Sequence, residues 1–134
     1  MSFNWLTRFF SDKLKSKYVL DIEEVFFELE NLGFKKKYNN YGNEQNLSYS
    51  IPNIQILFSW VTNDNNPSVT LIVNNTNYDL SNIRNVILNK HSFDSTNILK
   101  QNYFIFTTVT RKEYLRAYFE EIIKHVQFTA KHSE

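Results

Sequence analysis

Glu121 and His125 stand four residues apart in a segment of helical periodicity, and Tyr114 and Tyr118 show the same spacing just before them. An imidazole oriented by a carboxylate, with a phenol nearby, is a minimal set for general acid–base chemistry. The same four residues also describe a boundary histidine with a surface carboxylate, worth only about 0.2–0.5 kcal/mol to a helix. Spacing along one helix does not provide three-part catalytic geometry. The chain therefore reads as a non-enzyme, with the Glu121/His125 cluster as the one exception to weigh. His91 and His132 fall in expected loop and tail.

The remaining catalytic signatures are excluded by composition. Only Gly33 and Gly42 are present, so neither a phosphate-binding loop, nor a dinucleotide fingerprint, nor a nucleophile elbow can be built. With no Cys there is no disulfide framework, thiolate zinc site or cysteine nucleophile. No paired-His or EF-hand spacing occurs, and no metal or cofactor is expected.

Two other clusters suggest binding. Phe27 projects away from the Ile22/Val25/Phe26/Leu29 stripe, towards Glu23, Glu24 and Asn31. A Phe ringed by acids would serve as a protein-binding anchor with a charged rim, unless the segment before it, rich in Trp5, Phe9 and Phe10, covers it. Lys35-Lys36-Lys37 with Tyr38 and Tyr41 forms a small basic-aromatic set that could contact phosphates and stack on bases. A solvated edge strand accounts for the same residues, and the net charge of +1 supplies no field for nucleic acid.

The elements that must position these residues follow from periodicity. Phe3 to Lys15 places Trp5, Leu6, Phe9, Phe10 and Leu14 on one helical stripe, fit to dock on the domain or to lie on a membrane surface. A second helix is expected from an Asp21 N-cap with Glu24 three residues on, ending at Gly33 with Phe34 folded back over the stop. Period two then takes over. Lys35–Tyr41 reads as a polar edge strand, and Leu47, Tyr49 and Ile51 alternate with serines. Ile54–Val61 reads as a central strand, and Asn63–Pro67 as a turn leading into a strand over Ser68–Val73. Tyr78–Leu80 suggests a brief strand before a short helix capped by Ser81, using Ile83, Val86 and Ile87. Tyr103–Val109 reads as a strand by its β-branched and aromatic content. Thr110 and Glu113 open a long helix to about Phe128, with Tyr114, Leu115, Tyr118, Phe119, Ile122, Ile123 and Val126 on a wide apolar arc.

The fold expected is α+β: an antiparallel sheet of about five strands, with two N-terminal helices, a short middle helix and a long C-terminal helix packed on it. One domain over residues 1–134 suits the length. Without an unbroken apolar start or a membrane-length run, the chain reads as soluble and cytoplasmic. Both sides of the expected strands look apolar: Ile54, Ile56, Phe58 and Trp60 against Leu57 and Val61, and Tyr103 and Ile105 against Phe104 and Phe106. A one-sided antiparallel sheet should alternate cleanly. Unless helices cover both faces, a protein partner or a second copy of the chain must cover one.

The order of elements, with Leu32-Gly33-Phe34 closing an early helix, Pro67-Ser68-Val69-Thr70-Leu71 on a strand and Thr110-Arg111-Lys112-Glu113-Tyr114-Leu115 opening the last helix, resembles the small Cys-free immunity proteins that bacteria carry against polymorphic toxins. That resemblance implies a non-enzymatic inhibitor occluding a cognate toxin domain. Many nuclease-blocking members are strongly acidic and this chain is not, so a nuclease is not the implied target. The alternatives are a small-ligand or nucleic-acid-binding α+β domain, or a secretion-chaperone-like protein.

Overall fold

The computed structural model describes residues 17–61, 66–93 and 97–132, with side chains described as far as 126. The expected first helix and most of the Asn63–Pro67 turn lie outside these residues. Within them the order is α1 (Lys17–Val25), α2 (Phe27–Asn31), β1 (Lys35–Asn40), β2 (Glu44–Ile51), β3 (Ile54–Val61), β4 (Ser68–Val73), β5 (Thr76–Tyr78), α3 (Asn82–Lys90), α4 (Ile98–Thr108) and α5 (Arg111–His132). The fold is α+β. Its five strands form one antiparallel sheet in chain order, β1-β2-β3-β4-β5.

Turn chemistry explains this order. Gly33, at φ +94°, stops α2, and the Phe34 amide donates back to the Leu29 carbonyl at 2.9 Å while the Phe34 side chain is buried. Pro52 and Asn53 join β2 to β3. Asn74 and Asn75 both take positive φ, the two-residue turn geometry that matches strand twist, and so connect β4 tightly to β5.

Only one face of the sheet is apolar. Register places Leu47, Tyr49, Ile54, Ile56, Phe58, Trp60 and Leu71 on the same side, all buried. The other side carries Lys35, Lys37, Asn39, Asn46, Ser48, Ser50, Gln55, Ser59 and Thr70, with Leu57, Val61 and Ile72 among them. β3 thus alternates between buried and more exposed positions along its length. The expectation of two apolar sheet faces is therefore corrected. Half of its basis came from Tyr103–Val109, which is not a strand: residues to Thr108 belong to helix α4. Asn97 caps α4 by accepting from the Leu99 amide at 2.9 Å, and Ile105 and Val109 are the residues it buries. Aromatic and β-branched content is a weak preference that tertiary packing overrides.

The helices cover the apolar face. Phe26 is the hinge of the core: its ring meets Phe58 of β3 at 4.8 Å and Phe119 of α5 at 5.3 Å, both edge-on, and it packs near Tyr49. Thr110 caps α5 as expected, its Oγ1 accepting from the Glu113 amide at 3.2 Å. Leu115, Ile122 and Val126 are buried on the arc the sequence marked. Two further expectations need correcting. Asp21 does not cap a helix; it lies inside α1 and accepts from Arg111 Nη1 of α5 at 3.0 Å. Ser81 precedes α3 without a side-chain capping bond, and its amide instead donates to Asp79 Oδ1.

Candidate functional site

Phe26 and Phe27 are consecutive, so a helix cannot bury both on one face. The chain breaks between α1 and α2 at Phe26, which enters the core and is fully buried, while Phe27 remains 54% exposed. Leu20, Glu24, Phe27 and Asn31 follow the spacing i, i+4, i+7, i+11, and all four are exposed. Leu20 and Leu32, each 52% exposed, extend the apolar part.

The acids around this stripe are not equivalent. Glu24 stays at the surface and pairs with Lys112 of α5 at 2.6 Å. Glu23, also expected at the rim, turns towards the sheet and pairs with Lys36 of β1, which Glu30 approaches at 3.5 Å. These carboxylates raise the Lys36 pKa, against a burial effect that is the largest single influence and acts the other way. The structure therefore leaves Phe27, Glu24 and Asn31 exposed, and ties Glu23 to the β1 edge.

That pairing also divides the lysine cluster. Pleating sends Lys36 and Tyr38 to the helix-covered side, where the Tyr38 hydroxyl donates to Gln45 Oε1 at 2.7 Å, and sends Lys35 and Lys37 to the opposite side. The three lysines do not form one contiguous patch.

The alternative polar cluster is rearranged too. His125 Nε2 lies 3.4 Å from Glu121 Oε1, within ion-pair reach, yet it is buried and out of hydrogen-bonding alignment. Its ring packs against Tyr78 of β5 at 4.1 Å, a partner that spacing along one helix could not reveal. Tyr114 and Tyr118 engage each other, hydroxyl to hydroxyl at 3.4 Å. Burial, then the neighbouring Tyr118, pushes the Tyr114 phenol far above its ordinary value, away from acid–base work near neutral pH. A second imidazole–carboxylate pair went unnoticed in the sequence: His91, at the end of α3, lies 2.6 Å from Glu113 in the first turn of α5, with Phe104 edge-on to the imidazole. The partners are 22 residues apart, and no periodicity signals such a contact.

A surface feature that the sequence reading did not single out lies on α4. Leu99, Tyr103 and Phe106, at i, i+4 and i+7, are 77%, 71% and 63% exposed. Beside them runs a groove of about 610 Å³ walled by Phe93, Leu99, Tyr103 and Phe104, with Lys100 at its rim. Among the described residues no group of three or more His, Asp or Glu side chains could hold a metal ion, and no helix is long and apolar enough to cross a membrane.

No protein-family model, no curated protein and no solved structure matches this chain.

Proposed function

We propose that this chain is a non-enzymatic protein-binding domain, in its most concrete form an immunity-type inhibitor that occludes a cognate bacterial toxin. The observation that carries the reading is Phe27: a large aromatic side chain left half exposed at the start of α2, after exposed Leu20 and the surface carboxylate Glu24 on α1. Anchors of this kind, apolar at the centre and polar at the rim, dominate the energetics of protein interfaces. The core does not need Phe27, because Phe26 already fills its place there. A catalytic reading gains little from the Tyr114–Tyr118 pair, whose hydroxyls are directed at each other. The nucleic-acid alternative loses its contiguous lysine patch.

The test is neutralisation. The protein encoded by the adjacent reading frame is expressed in a sensitive host with and without this chain. Restored growth and a one-to-one complex are the expected result. If the neighbour is not toxic, and mild purification from the native host recovers no protein bound to this chain, the reading fails.

A further inference from the structure

We infer that the free edge of β1 accepts an extended, acidic segment of the protein partner as an added strand. The inference rests on the proposed function for the kind of partner and names that partner's chemistry. β1 and β5 are the two edges of the sheet. β5 has only three residues, a length that blunts an edge, whereas β1 has six. Register settles which backbone groups of β1 are open. The Tyr41 amide donates to the Glu44 carbonyl at 2.9 Å, and Asn39, Lys37 and Lys35 follow at period two, opposite Asn46, Ser48 and Ser50. Those residues turn their N–H and C=O groups towards β2, so Lys36, Tyr38 and Asn40 turn theirs away from the sheet. Each of the three offers one donor and one acceptor to an incoming strand.

Edge strands are commonly protected by an inward-pointing charge, which a docking strand would bury bare. Lys36 is such a residue, but its ammonium already pairs with Glu23 and Glu30. Docking therefore leaves no bare lysine on the helix-covered side. On the opposite side Lys35 and Lys37 are exposed and pair with no carboxylate among the described residues. Among the strand residues, the one acid that register puts on their face is Glu44, at the far end of β2 opposite Val61. Pleating continues across a sheet, so alternate side chains of an added strand come to lie beside Lys35 and Lys37. The others lie beside Lys36 and the partly buried Tyr38. Acids in the first set and apolar residues in the second complement this edge. A second copy does not, because pairing β1 with itself gathers the outward lysines of both chains on one face.

Amide exchange followed by NMR on the full chain tests this, with a short peptide of alternating Glu and Val and its counterpart carrying Lys for Glu. In the free chain the Lys36, Tyr38 and Asn40 amides should exchange fast, while those of Lys37 and Asn39 are protected. The Glu peptide should slow the three outward amides, and the Lys peptide should not. In the double variant Lys35→Glu/Lys37→Glu, affinity for the Glu peptide should fall about tenfold at low salt and the Lys peptide should bind instead. Thermal melting of that variant should be unchanged, since both positions are exposed. Outward amides already protected in the free chain overturn the inference, as does a Glu peptide that leaves them exchanging, or equal protection by both peptides. Protection that grows with the concentration of the chain alone also overturns it, by giving the edge to a second copy. No toxin enters this experiment, so failed neutralisation beside a bound Glu peptide refutes the inhibitor reading alone, and the reverse result refutes the added strand alone.

Discussion

The α1–α2 face and the α4 face expose side chains of the same kind and differ in what surrounds them. Around Phe27 stand Glu24, Glu28 and Asn31, all exposed, and Lys112 is drawn in from α5. Around Tyr103 stand Leu99, Phe106 and hydroxyls, with one lysine to the side. Exposed apolar side chains are common to both faces, and the charge at the border is what separates them. Under the proposed function, the charged border of the first face would steer a partner and reject a wrong one. The second face carries no such pattern of charge along α4.

The largest effect separates the two adjacent phenylalanines on which the first face depends. Phe26→Ala should cost about 3–5 kcal/mol of folding stability, as deletion of a buried aromatic does, whereas Phe27→Ala should stay within about 0.5 kcal/mol. Urea unfolding measures both, and equal losses would mean that Phe27 belongs to the core. Next comes binding. Against the cognate partner, Phe27→Ala should weaken affinity by about 2 kcal/mol, roughly thirtyfold, while Tyr103→Glu leaves it unchanged; titration calorimetry would expose a shared surface if both fall.

A smaller effect lies in the layer between the faces. The Tyr49 hydroxyl is buried and has no hydrogen-bond partner among the described residues. Burial first, then the Glu23 and Glu30 carboxylates, push its pKa well above the ordinary value. Unfolded, the phenol ionises near pH 10; folded, it keeps its proton. Above pH 10 the native state therefore holds more protons than the unfolded chain, and stability falls as pH rises through and beyond that point. Tyr49→Phe should remove that share of the alkaline slope and leave stability at pH 7 equal or higher. Thermal melts at the two pH values decide it, and an unchanged slope would show that the phenol is not the source. The smallest effect is kinetic. Glu24→Gln should slow association with the partner at low salt and lose most of that difference at high salt. Stopped-flow mixing at two ionic strengths reads this, and a salt-independent rate would remove the carboxylate from recognition.

Residue order could locate β1 to β4 because turn chemistry is local. Gly33 and Pro52-Asn53 mark breaks whatever surrounds them, and Ile54–Val61 and Ser68–Val73 carry their period; the Asn74-Asn75 reversal went unread, and the brief strand expected at Tyr78–Leu80 lies instead at Thr76–Tyr78. The phase of the Ile22/Val25/Phe26/Leu29 stripe also turned Phe27 away from it. Segment 103–109 could not be read this way: its residues favour a strand, and only the packing of Ile105 and Val109 under the helix layer decides otherwise. The destinations of Glu23 and Asp21 were hidden for a related reason. Each carboxylate finds a cation on a different element, Lys36 13 residues away and Arg111 90 residues away. Contacts between distant elements determine which acids remain at the rim of a site, and local pattern does not report them.

The sequential order of the sheet has a kinetic consequence. Every strand hydrogen-bonds to its immediate chain neighbour, so the whole layer can zip from one reversal to the next, with only short loops to close at each step. The long-range event is the arrival of α5 against α1, which joins Asp21 to Arg111. Folding should then be fast for a sheet-containing protein, with that late clasp between the two ends of the described chain as the slowest motion and the first to open.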